Sequence, residues 1–258
     1  LPNYRWLPVG YHGRTSSILP SGQDFLRPWG QLAVPSSDPE MAPSRRLDYE
    51  AELGFLVGRP NPLGQPIALG DAQRHVFGVS LLNDWSARDI QFWEYAPLGP
   101  FLGKSFATTL GGWVVTRQAL APFWCATPWA DDGEHRLLAH LDGPDERQRG
   151  GLAITVEVHL RSDKMRSRGL PRQRLSRSNY RTAFWTVGQL VTHQTSNGAN
   201  LETGDLIGSG TLSGPEADSR ACLMEMTRGG AEPFELSSGE RRTFIEDGDE
   251  VTLTGYCE

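Results

Sequence analysis

Apolar and polar residues alternate most regularly between residues 152 and 160 (LAITVEVHL), and this alternation predicts a half-buried β-strand. The apolar face of that strand consists of Ile154, Val156, Val158 and Leu160. Apolar runs at 52–58 (ELGFLVG) and 75–84 (HVFGVSLLND) predict two further strands. A glycine-broken segment at 204–216 and an Asp-Gly turn at 247–248 indicate more short strands toward the end of the sequence.

Two helices are expected among these strands. Residues 180–193 (YRTAFWTVGQLVTH) place apolar side chains at helical spacing, at Ala183, Phe184, Val187, Leu190 and Val191. The other helix should follow the strand at 75–84, because Ser86 and Asp89 resemble a capping box there. Residues 35–45 are predicted to be a loop. Since no repeat and no regular βα alternation is visible, we predict one mostly β domain with a few helices, over residues 1–258.

Composition and charge exclude several classes of protein. With 8 Trp, 10 Phe and 6 Tyr in 258 residues, the chain is too rich in aromatic residues to be disordered as a whole. No apolar run approaches the roughly 18 residues of a membrane span. The net charge of −6 argues against a nucleic-acid partner. Three cysteines are too few for a disulfide framework and fit a reducing compartment, so a cytoplasmic protein is expected.

A basic segment lies between residues 161 and 181, with eight Lys or Arg residues against a single Asp. Its arginine-rich part spans residues 166–177. We interpret it as a solvated loop, and a docking surface for an acidic partner is the alternative.

Two acidic residues close together indicate a metal site. Glu50 and Glu52 would project from the same face of a strand, about 6.5–7 Å apart. Like charges this close repel, and a hard divalent ion such as Ca²⁺ or Mg²⁺ would bind both carboxylates. No His or Cys adjoins the pair, which argues against zinc. The alternative is an exposed strand edge that carries two solvated acids.

The segment NDWSARDIQFWEY (83–95) predicts a polar stripe on an otherwise apolar helix. Helical geometry places four side chains within a sector of about 60°, namely Asp84, Arg88, Gln91 and Tyr95. A polar stripe on a buried helix must line something wet or charged, and a cavity would satisfy it. Alternatively, Asp84 caps the helix and Arg88 pairs with Asp89 or Glu94.

Other segments offer candidate groups. Lys104, between Gly103 and Ser105 in PLGPFLGKSF (97–106), could supply positive charge to a developing anion or be a surface lysine. Thr211 lies in a glycine-rich stretch where a ligand could approach the backbone. Glu225 is expected on a short strand, where an ordinary polar position is the alternative. None of the six histidines (His12, His75, His135, His140, His159 and His193) stands in a recognisable catalytic pattern.

Several motifs taken together resemble the fumarylacetoacetate hydrolase family, and within it the fumarylacetoacetases. They are PVGYHGR (8–14), LDYEAELGF (47–55), NDWSARDIQFWEYAPLGPFLGKSF (83–106), GDLIGSGTLSGPE (204–216) and DGDEVTLTGYC (247–257). The resemblance implies a mostly β roll, of mixed sandwich type, used as a homodimer. It also implies hydrolysis of a carbon–carbon bond in a diketo acid, giving fumarate and acetoacetate in tyrosine and phenylalanine breakdown.

The resemblance assigns roles to particular residues. It implies that Glu50, Glu52 and Asp84 bind a divalent metal, Ca²⁺ or Mg²⁺, and that Lys104 and Thr108 match an ion-associated position. Tyr11, Gln91, Tyr95 and Thr211 match substrate-binding positions. The residues that would stabilise the oxyanion and the leaving group are Arg88, Gln91 and Lys104. Glu225 matches the acid that orients a catalytic histidine and its water.

That histidine, the general base, should lie upstream of PVGYHGR together with another metal-binding Asp and substrate-binding Tyr and Arg residues. The sequence does not contain that stretch, and His12 is not expected to replace the base. Three hypotheses follow. The chain is most of a fumarylacetoacetase catalytic domain, or a related acylpyruvate hydrolase or 2-keto acid hydratase/decarboxylase, or a non-catalytic metal-binding or interaction module.

Overall fold

The computed structural model describes residues 4–8, 10–130 and 137–258. Strands predominate over helices in that part of the chain, as the sequence predicted. The strands are β1 (Ile18–Pro20), β2 (Trp29–Leu32), β3 (Glu40–Pro43), β4 (Leu47–Asp48), β5 (Ala51–Val57), β6 (Val76–Asn83), β7 (Ser86–Ala87), β8 (Thr108–Leu110), β9 (Val115–Thr116), β10 (Trp124–Cys125), β11 (Gly151–Leu152), β12 (Ile154–Arg161), β13 (Gln173–Asn179), β14 (Leu206–Gly208), β15 (Phe234–Glu235), β16 (Arg241–Arg242) and β17 (Glu250–Cys257). The α-helices are α1 (Leu69–Ala72), α2 (Arg88–Glu94), α3 (Leu102–Ser105), α4 (Pro144–Arg149), α5 (Asp163–Ser167), α6 (Val187–Thr195) and α7 (Leu223–Met226).

The largest sheet has the order β1–β8–β6–β5–β14, with β9 also paired to β6. Its central strands, β5 and β6, are antiparallel, and Ala51 lies opposite Asn83. A second, antiparallel sheet has the order β13–β12–β17. The two sheets approach closely at Gly255 of β17, where an added Cβ would lie 2.9 Å from the Leu81 side chain of β6. Only glycine therefore fits at this contact without displacing its neighbour.

The core lies between these sheets and confirms the strand predicted from strict alternation. In β12 the aliphatic residues Ile154, Val156, Val158 and Leu160 are buried in one apolar cluster. Phe55 of β5 packs against Tyr180 with 5.5 Å between ring centroids. Burial of each such large side chain stabilises the fold by about 1.5–3 kcal/mol. Within the described residues, no helix has the length and apolar character that a membrane crossing requires.

The helix predicted at 180–193 is shorter than its apolar pattern suggests. It begins at Val187, after a single 3₁₀ turn over Tyr180–Thr182. The Thr186 hydroxyl accepts a hydrogen bond from the Gln189 backbone N–H (3.1 Å), and the Gln189 side chain accepts one from the Thr186 N–H (3.0 Å). This capping box fixes the start of α6. Ala183 and Phe184 consequently pack on the core from outside the helix.

Two segments predicted as loops contain regular structure. Within 35–45, residues Glu40–Pro43 form β3 and pair with β2. The basic segment 161–181 forms α5 and β13, with Arg174 paired to Glu157 at 3.1 Å and half exposed. The predicted loop was wrong here because the arginines point outward from a strand, and composition alone does not distinguish these two environments.

A buried acid links α4 to α6 and gives a prediction about pH. Glu146 is 7 % exposed and accepts a hydrogen bond from the Thr186 hydroxyl. Burial raises the pKa of the Glu146 carboxyl, and the hydrogen bond offsets only part of that rise. With a raised native pKa, the carboxyl stabilises the fold fully below its unfolded-state pKa of about 4.3, and this contribution is lost as pH rises through the native pKa.

Glu146→Gln removes this titration and keeps the shape of the side chain. Relative to the unsubstituted chain, we expect the free energy of unfolding of this variant to become larger, and the variant thus more stable, as the pH rises through the native pKa of Glu146. Urea unfolding at several pH values measures the difference, and the exposed Glu216→Gln serves as control. A difference that stays constant with pH would show that Glu146 does not titrate as described.

Candidate active site

Three carboxylates meet where β5 begins and β6 ends. Glu50 and Glu52 flank Ala51, which pairs with Asn83 directly before Asp84. The Asp84 backbone N–H also donates to the Glu50 carbonyl at 3.1 Å. As a result, one oxygen from each of Glu50, Glu52 and Asp84 lies within 4.8 Å of the others. Glu50 and Glu52 are 8 % and 4 % exposed, so the acids are not solvated as the alternative interpretation required.

Two buried cations adjoin this acid group. Lys104 Nζ lies 2.8 Å from Glu50 Oε1 and 2.9 Å from Asp84 Oδ2, and it also donates to the Asp84 carbonyl. Arg88 Nη1 lies 2.6 Å from Glu50 Oε1. Neither cation is a surface side chain, since Lys104 is 6 % and Arg88 4 % exposed. Breaking such a buried pair typically costs about 3–5 kcal/mol.

The three carboxylates differ in electrostatic environment. Burial alone would raise the pKa of Glu50, but the nearby Lys104 and Arg88 bring it down to about 2. For Glu52, burial and then the charges of Asp84 and Glu50 raise the pKa well above its usual range. Burial likewise raises the pKa of Asp84, against the opposing effect of Lys104. Burial and the neighbouring acids therefore disfavour the charged forms of Glu52 and Asp84, and a cation between the carboxylates would favour them.

The acid group fits a hard divalent cation. Glu52 accepts one hydrogen bond among the described residues, from the Gly210 N–H at 3.0 Å, although the side chain is buried. A buried carboxylate with a spare oxygen, beside two others, is the donor set that Ca²⁺ and Mg²⁺ take. No His or Cys belongs to the group in the part of the chain that is described, so the ligand chemistry is that of oxygen.

The residues expected to bind substrate surround this centre in most cases. The Tyr11 hydroxyl donates to Asp84 Oδ2 at 2.8 Å, and the Thr211 hydroxyl donates to Glu50 Oε2 at 3.0 Å. Gln91 Oε1 accepts from Arg88 Nη1 at 3.2 Å, which leaves the Gln91 amide N–H groups to donate elsewhere. Tyr95 is 57 % exposed at the end of α2, and its hydroxyl makes no hydrogen bond with the described residues.

A cleft of about 410 Å³ opens onto the acid group. Its lining includes Tyr11, His12, Arg14, Asp84, Lys104 and Thr108. Thr108 lines the same cleft as Lys104, and the structure records no contact between Thr108 and the three carboxylates. The cleft volume lies in the range of about 300–1,000 Å³ typical of small-molecule sites.

The polar stripe on a single helix is wrong. Asp84 precedes the helix, and Ser86–Ala87 form β7, paired with β4. Ser86 does not cap α2, because its hydroxyl donates to Glu50 Oε1 at 2.8 Å. The helix begins only at Arg88, whose partners are Asp48 and Glu50 and not the neighbouring acids. Tertiary contacts still connect three of the four side chains: Arg88 contacts Glu50 and Gln91, and Lys104 links Glu50 to Asp84.

Glu225 lies on a helix, not on the strand expected for it. The four-residue helix α7 begins where the Asp48 carboxylate accepts hydrogen bonds from the Leu223 and Met224 N–H groups, at 2.7 and 3.0 Å. The Glu225 carboxylate accepts a hydrogen bond from the Ser213 hydroxyl and does not reach the three-carboxylate group. Of the six histidines, His12 lies in the cleft and His135 lies outside the described residues.

Two acids have roles that the sequence did not predict: Asp48 was not considered, and Glu94 was considered only as a partner for Arg88. Asp48 continues the alternation of Glu50 and Glu52 one step back, and that spacing was a usable signal. Glu94 Oε1 accepts from the Phe101 and Gly103 N–H groups at 2.8 and 2.6 Å and so folds the loop before α3 back onto α2. No local sequence pattern predicts this contact. It nevertheless sets the position of α3, the helix that carries Lys104.

Close packing of α3 on α2 leads to a prediction for Gly103→Ala. An added Cβ would lie 2.7 Å from the Gln91 backbone nitrogen and 2.8 Å from its Cα. Since neither atom can rotate away, α3 must shift, at a cost of about 1–3 kcal/mol for overpacking. We expect urea unfolding to show this loss. Gly70→Ala in α1, where a Cβ meets nothing within 4 Å, should show none, and equal stability of both variants would contradict the prediction.

Comparison with known proteins assigns a chain with this fold and this site to a family of hydrolases. Residues 2–256 match the family model described as fumarylacetoacetate (FAA) hydrolase C-terminal, and the chain belongs to this family. The chain is 46 % identical over 258 residues to the fumarylacetoacetase of Arabidopsis thaliana and 45 % identical over 259 residues to that of Bos taurus. Both alignments cover 100 % of this chain but 59 % of the relative.

The chain thus spans about three fifths of the length of these curated relatives. Among solved structures, a fumarylacetoacetate hydrolase family protein of yeast aligns with a TM-score of 0.50 at 13 % identity. That alignment covers 82 % of this chain and 63 % of the yeast chain. At this identity the likeness concerns the fold, which agrees with the mostly β roll expected from the sequence.

Proposed function

We propose that the chain carries the metal-assisted hydrolytic centre of a fumarylacetoacetase, which cleaves 4-fumarylacetoacetate to fumarate and acetoacetate in the breakdown of tyrosine and phenylalanine. The observation that carries the proposal is the group of two buried glutamates, Glu50 and Glu52, with the half-buried Asp84, against which Lys104 and Arg88 lie. It occurs in a chain 44–46 % identical to fumarylacetoacetases over its whole length. We further propose a cytoplasmic homodimer, as the resemblance implies.

Each residue of the site has a role that its contacts support. When bound by Glu50, Glu52 and Asp84, Ca²⁺ or Mg²⁺ supplies Lewis-acid stabilisation to the oxygens of the diketone. Lys104, held between two carboxylates, presents a fixed positive charge to the cleft, where preorganised charge acts on the developing anion.

Other side chains would orient the substrate and the general base. Arg88 binds Gln91 Oε1, so the Gln91 N–H groups are free to donate to a substrate oxygen. Tyr11 donates to Asp84 from the cleft wall and Thr211 donates to Glu50, and with Tyr95 they would contact substrate. Glu225 would orient the general base, which we expect to come from residues upstream of Tyr11.

Hydrolysis of fumarylacetoacetate with Mg²⁺ or Ca²⁺ present is the deciding experiment. The chain is assayed beside a form extended upstream, and loss of substrate absorbance is followed. Activity of the extended form alone supports the proposal and places the base outside the 258 residues. Activity of the chain by itself also supports hydrolysis but reassigns the roles of Glu225 and the histidines. Turnover of acylpyruvates in place of fumarylacetoacetate, or no hydrolysis by either form, would overturn the proposal.

A further inference from the structure

Asp48 is a fully buried acid that belongs to none of the roles assigned so far. It lies at the end of β4 with 0 % exposure, and its carboxylate accepts hydrogen bonds from three residues. On one side it accepts from the backbone N–H groups of Leu223 and Met224. On the other side it binds Arg88, at 3.0 Å from Nε and 2.9 Å from Nη2. A single side chain therefore ties the start of α7 to the start of α2.

Asp48 is also one member of a closed ring of contacts. From Asp48 the ring runs through Arg88 to Glu50, whose other oxygen accepts from the Thr211 hydroxyl. Two residues beyond Thr211, the Ser213 hydroxyl donates to Glu225 of α7, and α7 returns to Asp48. The ring contains a proposed metal ligand, a proposed substrate contact and the proposed orienting acid. Asp48 is its most buried member.

The chemistry of the two contacts requires a carboxylate. Arg88 uses Nε and Nη2 on Asp48, which fixes the plane of the guanidinium and aims Nη1 at Glu50 and Gln91. The Asp48 Oδ1 atom accepts from the Leu223 N–H, and Oδ2 accepts from the Met224 N–H and from Arg88. An amide of the same shape would have to present its own N–H group to the donors on one of these two atoms. Unpaired donors in a site this deeply buried are costly.

We propose that Asp48 is a positioning residue for the reaction: its carboxylate sets the orientation of Arg88 against Glu50 and Gln91, and it fixes the helix that carries Glu225. The inference rests on the proposed function for its kinetic consequence. Its geometric consequence, coupling of α7 to α2, does not depend on which substrate is turned over.

The first test compares the full-length protein with Asp48→Asn and the control Asp89→Asn. Asp89 is a neighbouring acid that accepts from Ser44 Oγ and the Arg45 N–H, both at 2.6 Å, and from the Ile90 N–H at 3.1 Å. None of these three donors belongs to the proposed site. We expect Asp48→Asn to lower kcat by about 10–100-fold with a much smaller change in KM, as for residues that orient functional groups. Asp89→Asn should leave kcat unchanged. A KM effect without a kcat effect, or equal losses in both variants, would overturn the proposal.

Amide hydrogen exchange tests the coupling without any substrate. In Asp48→Asn the amides of Leu223 and Met224 should exchange about 5–10-fold faster, as expected where a helix loses its capping acceptor. The same amides in Asp89→Asn should exchange at the original rate. Unchanged protection in Asp48→Asn contradicts the role given to Asp48. If no form hydrolyses fumarylacetoacetate, the proposed function fails while this measurement still decides the geometric claim.

Arg88→Ala supplies a second measurement if Asp48→Asn does not fold. Removing the guanidinium leaves the Asp48 and Glu50 carboxylates facing the space it occupied. We expect guanidinium ion at low millimolar concentration to raise the Tm of Arg88→Ala, and methylammonium to raise it less, because only the planar ion binds both acids. The double variant Arg88→Ala, Asp48→Asn should lose this response. Equal responses in the single and double variants would show that Asp48 does not hold the guanidinium.

Discussion

Replacing Lys104 by Met is expected to reduce kcat for fumarylacetoacetate by roughly 10²–10³-fold, the loss usual when a preorganised charge-stabilising group is removed. Lys104 reaches both Glu50 and Asp84 from the wall of the cleft, so its ammonium adjoins the proposed metal ligands and any substrate together. Methionine keeps most of the side-chain volume and removes only the charge. Steady-state kinetics with saturating Mg²⁺ or Ca²⁺ gives the measurement.

The same substitution should also lower the free energy of unfolding, by about 3–5 kcal/mol, because the buried Glu50 and the half-buried Asp84 lose their shared cation. The chain contains one other lysine, Lys164, which lies in α5 away from the site. Lys164→Met is therefore a matched control and should change neither kcat nor stability appreciably. If Lys104→Met kept its kcat, the charge of Lys104 would have no part in the reaction.

Glu52→Gln is expected to weaken binding of Ca²⁺ or Mg²⁺ by more than the roughly 10–100-fold that loss of an outer contact to a metal site costs. Glu52 has the spare oxygen in the acid group, and its other carboxylate oxygen already accepts from Gly210. Glutamine preserves that hydrogen bond but lowers the charge on the ligand. Calorimetric titration of the purified protein with each cation measures the change in affinity.

Without cation, Glu52→Gln should stabilise the fold. Glu52 is buried beside Glu50 and Asp84, so one charge fewer relieves repulsion in a region of low dielectric constant. In the presence of a chelator we expect Glu52→Gln to unfold at a higher Tm than the original chain, and Glu202→Gln, on an exposed turn, to be neutral. An unchanged titration with unchanged Tm would remove Glu52 from the set of ligands.

The sequence predicted the strands that have a local pattern of apolar residues. Strict alternation predicted β12, because a strand buried on one face alternates apolar and polar residues. Apolar runs predicted β5 and β6, because a strand buried on both faces is apolar throughout. The i, i+2 spacing of Glu50 and Glu52 correctly placed two acids together at the start of β5. Resemblance to a known family then supplied Asp84 and Lys104, which the structure brings to the same point.

The predictions that were wrong concern residues whose partners lie in distant parts of the chain. Arg88 pairs with Asp48, 40 positions earlier, and not with the acids on its own helix. Glu225 belongs to a four-residue helix that begins on Asp48, 175 positions away from Leu223. A helix this short has no 3.6-residue periodicity to detect, so an alternating pattern was the natural and mistaken interpretation. Ser86 likewise donates to Glu50 and not to the helix amides.

The wide spread of the site along the sequence determines how it can form. The Tyr11–Asp84, Glu50–Thr211 and Asp48–Leu223 contacts close loops of 73, 161 and 175 residues. Such high contact order makes the site a late product of folding, since the entropy of closing long loops must be overcome first. A peptide of residues 83–106 would contain Asp84, Arg88, Gln91 and Lys104 but only one of the three carboxylates, so it would bind no cation. The site is therefore complete only when the fold is complete, and a cation that binds to the three carboxylates should stabilise the whole chain at once.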